Sequence, residues 1–417
     1  MRKAAVLIGM VLLLGTFWQC QRDFSSIFSG EGAEDQGVLQ RAVVRSGNQF
    51  SFRLLRQLNS IGDPDSNLFV SPLSISMALG MTLNGAAEAT EDSMRRTLGL
   101  EGLSREGINR TYRNLILQLT SADTAVQMEI ANSIWFEQTF QVEPEFIKLN
   151  REYFFAEVQA LDFSDPAAVV TINSWVNERT HGRIPEIIQQ LRPGVDVMVL
   201  LNAIYFLGQW THTFNDSFTI QSTFRTEEGE DIPCFLMSQE NEFPYLETDE
   251  YQAIDLPYGE GNFRMTVILP KGDTRLAAFV ANFTPEAWHK LRENIAKQTV
   301  ILFLPRFKME CLLQKNLKQA LSAMGMNIAF TPGRANFSRI SEAEGKRLFI
   351  SDILHRTFVK VNEKGTEAAG ATAVIISRTS IPEYPTMMVN RPFLFFIWEK
   401  ETGAILFVGK VMRPQSE

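Results

Sequence analysis

Few residues in this 417-residue chain are placed to do chemistry. Its four histidines, His181, His212, His289 and His355, and its three cysteines, Cys20, Cys234 and Cys311, are scattered along the sequence. Zinc sites take ligands in closely spaced pairs such as H-x-x-x-H or C-x-x-C, and neither occurs. A nucleophile elbow, a metalloprotease helix and a phosphate-binding loop are also missing, so a catalytic triad would need groups gathered from distant segments. No metal and no organic cofactor is expected. Beyond Cys20 only Cys234 and Cys311 could pair, which excludes a disulfide framework, and each reads as a buried free thiol.

What stands out instead is a segment with no evident fold of its own. Asn362 to Thr386, about twenty-five residues between a strand expected at Thr357 to Val361 and another at Met388, is too long for an ordinary connection. Its first half, GTEAAGATAVII, is built from small residues that also alternate as a strand would. Thr366, Ala368, Gly370, Thr372, Val374 and Ile376 would share one buriable face, and Glu367, the one charge, falls on the other. A stretch that can be an exposed loop or a buried central strand is a candidate two-state element.

The elements around it read as mixed helix and strand. Ser71-Pro72 opens a helix, with serine to cap free N–H groups, proline at the first helical position, and Gly85 to end it. Asp165-Pro166 opens another, whose Ile172, Trp175, Val176 and Arg179 keep helical spacing up to the stop at His181-Gly182. Val197 to Phe206 is an almost continuous apolar run, as expected of a strand covered on both faces. Further strands are expected at Phe263 to Leu269, Val300 to Phe307, Phe393 to Trp398 and Ala404 to Val411, the last two joined by a short glycine-containing connection. The expected class is α+β with long sheets.

Composition agrees with a folded chain: 45% of residues are hydrophobic and 21% charged. At roughly 150 residues per domain the length allows two or three domains or one large one, but no repeat and no long linker divides it. A net charge of −8 leaves no broad basic field, so no nucleic-acid partner is expected. Arg2 and Lys3 followed by apolar Ala4 to Trp18 have the form of a secretory leader over residues 1–20, too short for a bilayer span. Cys20 closes it and is a candidate lipidation site that would tether the protein to a membrane. Phe17, Trp18 and Gln19, however, fit the usual small-residue motif poorly. Residues 21–39 read as a flexible tether and 40–417 as one domain.

From about residue 40 onward the chain resembles the serpin family. The motifs that carry this are NLFVSPLSISMAL (Asn67 to Leu79), INSWVNERTHGRI (Ile172 to Ile184), LNAIYFLGQW (Leu201 to Trp210), FLPRFK (Phe303 to Lys308), VNEKGTEAAGATA (Val361 to Ala373) and NRPFLFFI (Asn390 to Ile397), in family order. The resemblance implies the serpin fold, with three β-sheets, eight or nine helices and an exposed reactive-centre loop at about 362–386. It also implies a suicide-substrate mechanism: a target protease attacks the loop, and the cut loop inserts into the main sheet before the covalent 1:1 complex hydrolyses. Glu363, Lys364 and Gly365 resemble the family hinge, and the residues after them, Thr366, Glu367, Ala368, Ala369 and Gly370, follow the small-residue pattern of inhibitory members. Ser71, Ser74, Asn202 and His355 match positions beneath the opening sheet, and Trp210 and Lys308 match positions near its top.

Family spacing counted from Glu363 puts the cleaved bond at Thr379–Ser380, or one residue earlier at Arg378–Thr379. Side-chain chemistry favours Arg378, whose guanidinium suits the acidic pocket of a trypsin-like protease, while Ile375 and Ile376 would suit elastase-like or subtilisin-like enzymes. Cysteine proteases are a further target class. A monomer is expected, secreted or held at a bacterial surface or periplasmic membrane through Cys20. The rival readings are an enzyme, a non-inhibitory serpin acting as carrier, chaperone or storage protein, and a structural lipoprotein resting on Cys20 alone.

Overall fold

The computed structural model describes residues 33–366 and 384–415. Helix α1 (Ala33–Ile61) starts earlier than expected, so residues 33–39 belong to the domain and not to a tether. The Ser, Gly and acidic content up to Gly37 suggested a tether, but Leu39 packs close to Gly107, and Gln40 donates to Gln118 at 2.6 Å, which ties the first turns to the helix Arg105–Ser121.

Two hydrogen-bonded sheets follow. The first has six strands in the order β10 (Phe307–Leu313), β11 (His355–Asn362), β12 (Gly365–Thr366), β4 (Met198–Gln209), β2 (Val126–Glu137), β3 (Glu157–Leu161). The second runs β1 (Leu68–Val70), β15 (Ile405–Val411), β14 (Phe393–Glu399), β8 (Phe263–Pro270), β7 (Tyr251–Tyr258), β6 (Asp231–Glu247), β9 (Ala296–Pro305), β13 (Thr386–Met388), with β5 (Ile220–Arg225) on β6. Three sheets were expected. The second is a pair joined where Tyr245 to Glu247, at the end of the long strand β6, reach β7, so the difference lies in that short ladder. Nine α-helices are present among the described residues, and the class is α+β.

Burial explains the sequence patterns. Every residue of β14 and β15 is buried, and so their apolar runs lack the alternation of a half-exposed sheet. The two charges within these strands, Glu399 and Lys410, are both satisfied. The Lys410 ammonium donates to Asn59 Oδ1 and to the Pro64 carbonyl, and the Glu399 carboxylate accepts from the backbone N–H groups of Glu401 and Thr402, closing the turn. β4 is covered on both faces, in keeping with its almost continuous apolar run. Leu201 and Ala203 pack under Ile172, Trp175 and Val176 of the helix Ala167–Arg179, and Phe206 faces the main core. The expected strand Val300 to Phe307 is instead two strands, because the chain breaks at Arg306 and passes from one sheet to the other.

Gly409 is a packing requirement. A Cβ there would lie 2.1 Å from a ring carbon of Phe395, whose ring stacks on Phe69 at 5.7 Å in the buried core. Gly409→Ala should therefore destabilise the protein by roughly 1–3 kcal/mol, read from the urea unfolding midpoint. The additional change Phe395→Leu should restore part of the loss, and an unchanged midpoint in the single variant would mean that the ring swings aside freely.

Candidate functional site

Among the described residues, two join the six-stranded sheet across its middle. Among the described residues β4 and β11 share no ladder of their own, and both pair with β12: Gly365 lies opposite Gln209 and Asn362, and Thr366 opposite Gly208 and Val361. Just below, Ile204 and Phe206 of β4 face Val359 of β11 across a narrow pocket, which Thr180 and Ile184 cover from the end of the helix Ala167–Arg179. The expected loop Asn362 to Thr386 therefore has structured ends in β11, β12 and β13.

Close packing fixes β12. Gly365 has φ +149°, and a Cβ on it would lie 2.1 Å from the Gly208 carbonyl oxygen, so only glycine lets the backbones approach this near. The buried Thr366 hydroxyl bonds the Tyr258 hydroxyl at 2.7 Å, and Tyr258 stacks on Trp210 with centroids 4.4 Å apart. Trp210 in turn donates from its indole to the Asn362 carbonyl at 2.9 Å and from its backbone to the Lys364 carbonyl at 2.8 Å. The Glu363 carboxylate is buried, and Arg306 and the Thr219 hydroxyl donate to it. Burial raises the Tyr258 phenol far above its ordinary value, so it stays a neutral partner for Thr366.

Lower down, β4 and β11 are both held by the N-terminus of α2 (Pro72–Leu83). Ser71 caps this helix, its hydroxyl accepting from the Ser74 N–H at 3.2 Å and donating to the Leu406 carbonyl at 2.8 Å. On one side, the Ser71 backbone N–H donates to His355 Nε2 at 3.0 Å. On the other, the Ser74 hydroxyl donates to the Asn202 carbonyl at 3.3 Å, and the Asn202 amide donates to Asn132 Oδ1 at 2.7 Å. Among the described residues the buried side-chain carbonyl of Asn202 has no hydrogen-bond partner.

Ser71, Ser74, Asn202 and His355 thus converge under the sheet, and Trp210, Glu363, Lys364, Gly365 and Thr366 converge at its upper end. Lys308 sits beside them on β10, with its ammonium 5.7 Å from the Phe358 ring. Glu367, Ala368, Ala369, Gly370, Arg378, Thr379, Ser380 and Cys20 lie outside the described residues. Tyr258, Arg306, Thr219 and Asn132 were not anticipated; each comes from a distant strand or turn, and only Arg306, inside the FLPRFK block, carried a sequence signal. Among the described residues no cluster of His, Cys, Asp or Glu could hold a metal, and no helix is long and apolar enough to cross a membrane.

Complete burial pulls His355 down from 6.5 to about 4, and the Ser71 N–H requires its neutral ring. A histidine lowered in the folded state contributes stability that is full above the unfolded value near 6.5 and is lost as pH falls toward 4, because the unfolded chain takes up the proton first. Between pH 7 and pH 5 the protein should lose about 2 kcal/mol of unfolding free energy that His355→Gln does not lose. Equal pH slopes in the two proteins would show that another group carries the dependence.

The sequence profile of the family described as Serpin (serine protease inhibitor) matches residues 45–414. An uncharacterized serpin-like protein of Thermococcus kodakarensis is 34% identical over 382 residues, covering 90% of this chain and 87% of that one. Human antithrombin-III is 31% identical over 404 residues, covering 92% and 86%. Among solved structures, the thermophilic serpin tengpin in its native state superposes with a TM-score of 0.81 at 31% identity, covering 89% of this chain and 94% of that one. Human thyroxine-binding globulin superposes with 0.82 at 29% identity, covering 91% and 100%. With the family profile spanning nearly the whole described fold, and relatives above 30% identity along most of the chain, this protein belongs to the serpin family.

Proposed function

We propose that this serpin is inhibitory and traps serine proteases, trypsin-like enzymes above all, through cleavage after Arg378. The protease serine would attack the Arg378 carbonyl, the bond to Thr379 would break with the new amine leaving on the C-terminal fragment, and an acyl ester would remain. Insertion of the loop must then outrun hydrolysis of that ester. Elastase-like, subtilisin-like and cysteine proteases are secondary targets. The leader and Cys20 would export the protein and, if the cysteine is lipidated, tether it.

The observation that carries this reading is the two-residue strand β12 between β4 and β11. A strand continued in its register would set Ala368 opposite Phe206 and Val359, Gly370 opposite Ile204 and Thr357, and Thr372 opposite Asn202 and His355. Val359, Thr357 and His355 are buried, so the residues that must turn inward are the small ones. Glu367 would face outward opposite Lys360, a favourable cross-strand pair. Thr372 would bring a hydroxyl donor to the orphan carbonyl of Asn202. Successive residues added to the strand exchange main-chain hydrogen bonds alternately with β4 and β11, and these bonds, with the side chains newly buried, drive the loop into the sheet.

Relatives differ in what their names declare, from an intracellular coagulation inhibitor of Tachypleus tridentatus to thyroxine-binding globulin, so trapping itself must be measured. Mixed with trypsin, the mature protein should give a higher-mass band that survives denaturing electrophoresis, together with a released peptide beginning at Thr379. A peptide beginning at Ser380 would move the bond by one residue, and clean cleavage without a complex would make the protein a carrier or storage serpin toward trypsin. Thr366→Arg should abolish the complex while leaving cleavage intact, since a guanidinium cannot occupy the buried position beneath Tyr258. Undiminished trapping in that variant would refute insertion as the mechanism.

A further inference from the structure

The helix Ala167–Arg179 ends on a left-handed turn, His181 at φ +49° and Gly182 at φ +81°, which brings the chain back over the sheet. The segment that follows is folded against the helix: Asn173 Oδ1 accepts from the Ile187 and Ile188 N–H groups, and the Thr180 hydroxyl accepts from the Ile184 N–H. Helix and segment therefore form one cover, and it touches both sides of the gap that β12 enters. On one side the His181 ring lies 4.4 Å from that of Tyr205 on β4. On the other the Arg183 guanidinium lies 5.4 Å from the Phe358 ring on β11, and Arg356 of β11 donates to the Glu186 carbonyl at 2.6 Å. A strand continued in register from Thr366 would pass between Tyr205 and Phe358, beneath these contacts.

Of the side chains that fasten the cover, histidine is the type that gains and loses a proton near neutral pH. His181 Nε2 lies 2.9 Å from Glu129 Oε1 and 3.2 Å from Gln127 Nε2, both on β2. In a neutral ring this nitrogen can donate to the carboxylate or accept from the amide. In a charged ring it can only donate, so protonation commits the ring to Glu129 and makes the contact an ion pair. The other charges around it are placed differently. On its own segment Arg179 is 3.6 Å from Glu157 of β3, Arg183 lies over Phe358, and Glu178 is exposed. β4 carries no charge, and the outward-facing charges of β11 are Arg356, which is paired with Glu310, and Lys360.

We propose that His181 and Glu129 form a pH-sensitive clamp on this cover. In mildly acid conditions the clamp tightens, the cover lifts less readily, and a strand enters the sheet more slowly. The consequence for trapping rests on the inhibitory reading above; the clamp itself does not. Insertion races hydrolysis of the acyl ester, so a tighter clamp turns more of the protein into spent substrate as pH falls. With the two side chains 43% and 39% exposed, the effect is modest and fades as salt screens it.

The test is hydrogen exchange, read by mass spectrometry, on the mature protein alone at pH 8 and pH 6, with rates corrected for the intrinsic effect of pH. Protection of residues 180–188 should be about two- to fivefold greater at pH 6 than at pH 8. The difference should vanish in His181→Gln, in Glu129→Gln, and in about 1 M salt. Burial holds His355 at about 4, so it stays neutral in the folded protein over this range. An equal change in both variants, or none in the wild type, overturns the proposal. The number of molecules cleaved for each trypsin trapped is then compared between wild type and His181→Gln, which cancels the protease's own pH dependence. The two proteins should match at pH 8, and at pH 6 the wild type should spend about two- to fivefold more molecules. Equal numbers at both pH values would overturn the link to insertion. Absence of any complex at either pH would count against trapping, and the exchange result would still decide the clamp. Matching thermal midpoints at pH 8 show that the variants keep the fold.

Discussion

Among the described residues, main-chain hydrogen bonding across the middle of the six-stranded sheet passes through two residues, Gly365 and Thr366. Everything else near the site serves to keep that short ladder in place or to fill the space around it. Gly208 and Gly365 meet where neither could carry a side chain, and Tyr258 and Trp210 stack behind them to hold Thr366 and the Asn362 carbonyl. Below that ladder, β4 and β11 are both held by polar contacts with a third element.

That element is the start of α2. A helix N-terminus exposes free N–H groups, and here Ser71 satisfies one with its hydroxyl and gives its own backbone N–H to His355 on β11, while Ser74 reaches β4 at Asn202. Hydrogen bonds of about 3 Å between neutral groups contribute modestly and can be exchanged, unlike a buried apolar interlock. Polar residues under a sheet therefore let its two halves be held without being welded. His355 must be neutral for this to work, and its burial secures that.

Much of this was legible in the sequence where the physics is local. Ser71-Pro72 announced a capped helix, the almost continuous apolar run in β4 announced a strand with both faces covered, and Thr366, the first small residue after Gly365, is buried as its place in the alternating pattern suggested. What stayed hidden depends on register between distant strands. Tyr258 looks like any aromatic at a strand end until it meets Thr366, and Arg306 looks like a polar interruption until Glu363 closes on it. Residues 33–39 misled because their glycine and acidic content suggested a tether, while the neighbour that Leu39 packs against comes from a distant helix. Side-chain pattern reports the environment of one element; it says little about which partner creates that environment.

The order of strands also governs how the chain can be made. β14 and β15, every residue buried, stand between β1 and β8, so two interior strands of the nine-stranded sheet come from the far end of the sequence. Until Phe393 to Val411 have left the ribosome, β1 has no neighbour to pair with and β8 has one bare edge. Synthesis is slow beside local folding, so the growing chain must wait with an unfinished core. For a chain exported by a leader such as the one expected over residues 1–20, that delay would be useful, since the chain could be threaded through a membrane before its sheet closes.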